Sequence, residues 1–422
     1  MRLSWSAPAF SAAISILFLT GCSGGHRAFS VLPEGAAPQV LFRPSGTETV
    51  IYSFSGEPDG AVPVATLLDV DGTLYGTTSN GGRRIGSLCG QVGCGTVFSV
   101  TPAGQENVIF RFGGADGADP EAGLVEVKGT LYGTTYYGGQ GNGTVFSVTR
   151  SGKERVLHRF ATRPDGQSPS SNLIEVQGKL YGTTLYGGAN DCGTVFSITP
   201  SGREVVLYSF KGGSYGDGAY PEAGLTELGG VLYGTTAGGG SGPGTVFKLT
   251  LSGEERVIYR FSPYRRDAKG PDSSLVNLNG KLYGTTEGGG EKFNFGAVFS
   301  VTTSGKEKML YAFKGAPDGI FPRGGLINVG GTLYGTTWDG GVRVGETGAG
   351  TVFSIDPSGH ERVTYRFGKP PDASLPAAGL TDVNGTLFGT AASGGRHPNR
   401  DCAAAYPNGC GAIFALPPSV LR

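Results

Sequence analysis

"GTLYGTT" occupies residues 72–78, 129–135 and 331–337. Close variants follow: "GKLYGTT" at 178–184 and 280–286, "GVLYGTT" at 230–236 and "GTLFGTA" at 385–391. Each heptad sits inside a longer unit, seen whole in "PEAGLVEVKGTLYGTTYYGGQGNGTVFSVTRSGKERVLHRF" at 120–160. Four short runs in it alternate β-branched or aromatic residues with small or polar ones, and Gly or Pro bounds each run. That is the pattern of strands. Asp71-Gly72, Asn279-Gly280 and Asn384-Gly385 are two-residue hairpin signals between the first and second runs. Ser-Gly pairs at 151–152, 201–202, 252–253, 304–305 and 358–359 separate the third run from the fourth. The unit returns at roughly 50-residue spacing, the length of a kelch-type propeller blade.

The spacing predicts an all-β fold, a seven-bladed β-propeller with four antiparallel strands per blade. One small sheet cannot bury both of its faces, whereas sheets packed radially cover one another. The last unit stops after its third run, "GAIFAL" at 411–416, while "ETVIYSF" at 48–54 is a fourth strand with no blade of its own. The N-terminal strand is therefore expected to complete the last blade. The ring would span 47–417, with its seventh blade made of 368–417 plus 47–56. A second run, "QVLFRP" at 39–44, could compete for the third place in that blade.

The 77 glycines follow no three-residue period, which excludes collagen and leaves them as turn punctuation. The 34 basic and 34 acidic side chains cancel, so no net field draws the chain to nucleic acid or to a membrane surface.

Residues 1–21 read as a signal peptide: Arg2, then an apolar run from Ala7 to Leu19 that is too short to span a bilayer. Leu19-Thr20-Gly21-Cys22 resembles the bacterial lipobox. It implies cleavage before Cys22, lipidation of that cysteine, and a tether over 22–46 rich in Gly, Pro and Ala. The plain alternative is a secretory signal with a chance cysteine. On the first reading the protein is extracytoplasmic and lipid-anchored, on the outer membrane or cell surface, and touches the membrane through its anchor only.

Strand order places the fourth-to-first and second-to-third connections on one face of the ring, where function on a rigid scaffold usually sits. Tyr136, Tyr137, Tyr186, Trp338 and Arg323 are the ligand-binding candidates there. Tyr215, Tyr220, Phe321, Arg83, Arg84, Arg265 and Arg266 share the face. Aromatics beside arginines suit a glycan or a protein surface; alternatively they merely cover loop glycines. Asp69, Glu126, Glu175, Glu227, Asn277, Asn328 and Asp382 recur at one first-strand position. They could ring a cation or, more simply, bond turn backbone. Glu48, Glu106, Glu154, Glu204, Glu255, Glu307 and Glu361 open the outermost strands and are expected to protect sheet edges. Asp-Gly pairs at 59–60, 116–117, 165–166, 217–218 and 318–319 read as turns, any one of which could instead help hold a metal. Cys89 with Cys94 and Cys402 with Cys410 lie within single loops, where local disulfides are simplest; a cross-blade pairing stays open, and Cys192 is expected to be free. No CxxC pair or histidine cluster points to a metal, and no catalytic residue or cofactor motif is found: the histidines at 26, 158, 360 and 397 share no repeat position.

The pattern GxLYGTTxxGG…GTVFxxTxxGxExVLYxF, over about 47–416, resembles the Gloeobacter–Verrucomicrobia (GloVer) tandem repeat of choice-of-anchor surface proteins. The resemblance implies an anchored bacterial surface protein and brings no established activity. The expected function is a non-catalytic binding or scaffold module, monomeric, taking a glycan or protein ligand on the long-loop face, with no nucleic-acid partner. The alternative is a polysaccharide-active hydrolase or lyase on the same face.

Overall fold

The computed structural model describes residues 48–421 apart from 86–88, 90–91, 214–215, 241, 264–266, 291–292, 345–346 and 397–408. The leader, Cys22, the tether, the run at 39–44, and Tyr215, Arg265, Arg266 and Cys402 lie outside the described residues. Seven four-stranded antiparallel sheets form a propeller, with no α-helix among the described residues. The first blade runs Leu68–Val70, Thr73–Thr78, Thr96–Val100, Glu106–Arg111 in that spatial order, and the others repeat it. The last blade takes its first three strands from Thr381–Val383, Thr386–Ala391 and Ala412–Leu416, and its fourth from Thr49–Ser53. Thr49 stands opposite Ala415 and Ser53 opposite Ala412, so the N-terminal strand closes the ring as expected.

The hairpin turns obey the sequence. Asp71, Asn279 and Asn384 adopt φ of 54–55°, each followed by a glycine at 79–83°. Both central residues of such a turn must be left-handed. The repeated first-strand acids and amides accept the second glycine-turn N–H, as in Gly72 to Asp69 (2.9 Å) and Gly331 to Asn328 (2.9 Å). They serve the turn at all seven positions.

The glycine inside the heptad has a different cause. Gly76 faces Phe98 across the sheet, and a Cβ there would come within 2.6 Å of the phenyl Cζ. The third-strand phenylalanine crosses the glycine of its own blade in all seven blades. A second phenylalanine, from just past the fourth strand of the preceding blade, meets it edge-on. The seven pairs run from Phe54–Phe98 (5.1 Å) to Phe367–Phe414 (4.9 Å). None of these rings is more than 3% exposed. Edge-to-face pairs add about 0.5–1.5 kcal/mol each beyond the area they bury. The threonine that follows each heptad's inner glycine then bonds a carbonyl of the next blade: Thr77 to Ala122 (2.9 Å), Thr336 to Ala378 (2.8 Å) and, across the closure, Thr390 to Ala65 (2.9 Å).

Every fourth strand carries a one-residue bulge that the sequence reading missed. In the first blade the register jumps from Val97–Phe110 to Phe98–Val108, leaving Ile109 over. The bulged carbonyl lies against the Ser-Gly turn of the following blade, where a Cβ on Gly152 would stand 2.7 Å from the Ile109 oxygen.

The outer glutamates also correct an expectation. They do not guard edges. One carboxyl oxygen of each of the seven is buried without a hydrogen-bond partner. Each packs against the Asp-Gly aspartate, or its equivalent, of the preceding blade. Burial first, then Asp59, pushes Glu106 up to about 7, and burial with Asp318 does the same to Glu361. Glu48, beside Asp372, reaches about 9. In five seams a tyrosine joins them, as in the Tyr52 hydroxyl donating to Asp59 (2.9 Å). A charge on an outer strand reads as exposed; the neighbouring blade is what covers it.

Two outcomes are expected. Gly234→Ala, whose Cβ would sit 2.5 Å from Phe247 Cζ, should lower stability by about 1–3 kcal/mol, and Phe247→Ala by about 3–5 kcal/mol, in urea unfolding. Gly113→Ala, with nothing nearer than 3.7 Å, should change it by less than about 0.5 kcal/mol. The glutamates bind protons more tightly folded than unfolded, so the stabilisation is complete below their unfolded value near 4.5 and is lost as pH rises through about 7. The melting temperature should therefore fall between pH 5 and 8, and Glu→Gln at 106, 255 and 361 should flatten the slope; a rise over that range would contradict the burial.

Candidate ligand-binding face

The backbone of the long-loop face is built from bonds that repeat in each blade. The connection entering a blade clips onto that blade's second-to-third loop. Gly60–Ala61 pairs with Asn80–Gly81, and Gly166–Gln167 with Tyr186–Gly187, with two-residue ribbons in four further blades and a single bridge between Ala118 and Tyr137 in the second. The Asp-Gly aspartates fasten the near side. Asp59 accepts the N–H groups of Ser55 (3.0 Å) and Gly60 (2.7 Å).

Directly before a proline in every connection stands a left-handed residue. Val62, Asp119, Ser168, Tyr220, Phe321 and Leu375 have φ of 54–59°, and Gly270 has 63°. Outside glycine this conformation is uncommon and costs energy, so the surroundings must over-determine it. They do. The Tyr220 N–H donates to the Cys192 carbonyl of the preceding blade (3.0 Å), and its own carbonyl accepts from Ala237 (2.9 Å). The same two bonds recur in all seven blades.

This frame carries three variable positions per blade: the left-handed residue, the one after the proline, and the one after the heptad. The second blade presents Asp119, Glu121 and Tyr136; the fourth Tyr220, Glu222 and Ala237; the fifth Gly270, Asp272 and Glu287; the sixth Phe321, Arg323 and Trp338. The seventh and first are apolar, with Leu375, Ala392, Val62 and Val64 packed together beside Trp338. The face is thus acidic and aromatic on one side and greasy on the other.

The five sequence candidates lie here in two groups. Tyr136 meets Tyr137 at 4.6 Å, and Tyr186 meets Tyr220 at 5.8 Å. Tyr137 and Tyr186 remain 44% and 37% exposed. The Arg323 guanidinium lies 4.9 Å over the Trp338 ring and donates to Glu287 at 2.6 and 3.0 Å. Carboxyls join the groups, and the sequence reading did not single them out. Burial, then Glu287, pushes Glu222 up to about 7 against the pull of Arg323. Burial, then Asp119 and Glu222, takes Glu121 to about 8. Asp272 lies well above the usual carboxylate range, through burial first and then Glu287 and Glu222; its Oδ1 is buried with no hydrogen-bond partner. Glu121 and Glu222 repel each other although they belong to blades two apart. The signal was available: within "PEAGL", "PDSSL" and "PRGGL" the second letter changes from acid to base while the proline and leucine recur and the residues between stay small.

Cys89 and Cys94 form the expected local disulfide, with Cα atoms 4.9 Å apart. Cys192, expected to be free, is disulfide-bonded, as is Cys410. Arg84 pairs with Glu57 (3.2 Å) near that loop.

A family model described as Gloeobacter/Verrucomicrobia repeat matches residues 39–242, 86–292 and 232–420. No curated protein matches the chain. Solved structures that resemble it include a puromycin-hydrolyzing peptidase of Mycobacterium tuberculosis, at 11% identity over 88% of this chain and 55% of that one, with a TM-score of 0.50. The chain thus spans about half of that peptidase. Others are a quinohemoprotein alcohol dehydrogenase of Pseudomonas putida (10%, 89% and 77%, TM-score 0.49) and a gluconolactonase of Xanthomonas campestris (14%, 71% and 86%, TM-score 0.40). At these identities the likeness is one of fold.

Arg323→Met should raise the Glu222 midpoint above its value of about 7, because the nearest opposing cation is gone. Carboxyl carbon NMR across pH 5–9 reads it; an unmoved midpoint would contradict the coupling.

Proposed function

Since the chain belongs to the Gloeobacter/Verrucomicrobia repeat family, which fixes a frame and no chemistry, we propose that it is an anchored extracytoplasmic lipoprotein whose ring binds a carbohydrate on its long-loop face without converting it. The supporting observation is the pairing of the exposed Tyr137 and Tyr186 rings with carboxyls that burial holds protonated near neutral pH. A sugar presents an apolar C–H face and a rim of hydroxyls. Tyrosine rings suit the first. A neutral carboxyl, which both donates and accepts, suits the second. The clipped loops pre-organise the site, which lowers the entropic cost of binding. Cys22 supplies the anchor, the ring works as a monomer, and balanced charge gives nucleic acid no purchase.

A second reading has one observation in its favour. Burial, then Glu287 and Glu222, push Asp272 well above the usual carboxylate range, and paired carboxyls with separated titrations are what acid–base cleavage of a glycoside needs. One experiment addresses both. The full chain is screened against bacterial and plant polysaccharides, with soluble products assayed alongside retention. Retention without product is expected, with at least about tenfold loss (about 1.4 kcal/mol) in Tyr137→Ala and Tyr186→Ala at unchanged melting temperature. Released sugars that disappear in Asp272→Asn would replace binding by hydrolysis or elimination; retention of protein ligands alone would overturn the carbohydrate assignment. Cys22→Ser should move the protein from the membrane fraction to the soluble one.

A further inference from the structure

The seven seams between blades are built alike, and one of them differs in a way that changes its chemistry. Five place a tyrosine hydroxyl on the seam aspartate, at Tyr52, Tyr208, Tyr259, Tyr311 and Tyr365. Phe110 stands there in a sixth. Between the second and third blades the residue is His158. Its Nε2 lies 3.1 Å from Asp165 Oδ2, and its ring is fixed edge-on against Phe160 at 4.8 Å.

The same seam lacks another feature. In four others an arginine on the glutamate's own strand reaches back over the aspartate. Arg111 donates to the Pro58 carbonyl (2.7 Å), Arg260 to Gly216 (3.0 Å) and Arg366 to Pro317 (2.8 Å); Arg159 does the same to Ala115 (3.4 Å). The corresponding residue beside Glu204 is Ser209. Two carboxyls therefore face each other with an imidazole in place of both the phenol and the guanidinium. Ligand atoms of His158, Asp165 and Glu204 all lie within 4.8 Å of one another. The His158 and Asp165 side chains are 22% and 15% exposed, and one Glu204 oxygen is buried without a partner.

We propose that His158, Asp165 and Glu204 form a binding site for a divalent transition metal of the zinc class, at the seam between the second and third blades. One imidazole nitrogen and two carboxylate oxygens suit zinc, which takes them at about 2.0–2.2 Å and fills a fourth place with water. Calcium and magnesium prefer all-oxygen sets, so the imidazole selects against them. The backbone N–H groups of Ala161 (2.8 Å) and Gly166 (2.7 Å) already hold Asp165 in place, which leaves little to organise on binding. His158 and Glu204 stand on the outer strands of the two blades and Asp165 in the connection between them, so the site would act as a metal-dependent clasp between two blades.

The sister seams supply the control. His158→Tyr installs the residue found at five of them and should fold. The full chain, stripped of metal, is titrated with zinc by calorimetry and with cobalt by visible absorption. One equivalent of zinc binding at micromolar concentration or tighter is expected, with a zinc-dependent rise in melting temperature. His158→Tyr should abolish both, Glu204→Gln should weaken binding at least about tenfold, and His360→Ala, at an exposed histidine elsewhere, should change neither. Folded wild-type protein that takes up no zinc, or His158→Tyr protein that still binds one equivalent, would overturn the proposal.

Discussion

A phenyl ring lying across a glycine, struck edge-on by a second phenyl from the next sheet, is the contact on which this molecule depends. It joins two requirements in one place. The glycine must lack a side chain so that its own blade's phenylalanine can lie flat, and the flattened ring then offers its face to the preceding blade. Fourteen such rings, none more than 3% exposed, form the seven seams. The buried leucines, valines and tyrosines around them belong to clusters that straddle adjacent blades, so each sheet is stable only between two neighbours. The borrowed strand Thr49–Ser53 follows from the same need, because an incomplete last blade would leave Phe54 without its place against Phe98.

Repetition in the frame frees the rim to vary. Each left-handed residue before a proline is pinned by one bond to the preceding blade and one within its own, whatever its side chain. Valine, aspartate, tyrosine and phenylalanine all occupy that conformation here, which only the surrounding bonds make tolerable. Chemistry can then be written into three positions per blade without altering the backbone. The outcome is asymmetric: acids and tyrosines over the second, fourth and fifth blades, an arginine stacked on tryptophan in the sixth, and an apolar closure at the seventh and first. The outer seams show the same economy, where one histidine among tyrosines converts a hydrogen-bonded contact into a set of metal ligands.

The architecture was legible because its signals are local and recur. Heptads, Asx-Gly hairpins and Ser-Gly turns each specify their own geometry, and the unpaired run at 48–54 announced the closure. What escaped notice depended on neighbours. Glu106 and its counterparts look solvent-facing on an outer strand, and only the adjacent blade buries them. The bulge at Ile109 leaves no mark in a run that reads as an ordinary strand. The aromatic candidates were found by residue type, whereas Glu121, Glu222 and Asp272 are conspicuous only when the seven units are laid side by side and the second letter after the loop is compared. Cys192 stands two blades from the first blade's cysteines, and separation in the repeat does not by itself fix whether a cysteine is bonded.

Native-state hydrogen exchange on the full chain tests the dependence on mutual burial most directly. Opening any one sheet of a closed ring exposes two seams at once. The amides of the second and third strands in all seven blades should therefore exchange with one common free energy, equal to that of global unfolding. Graded protection, with blades far from the closure opening independently of those beside it, would contradict the account.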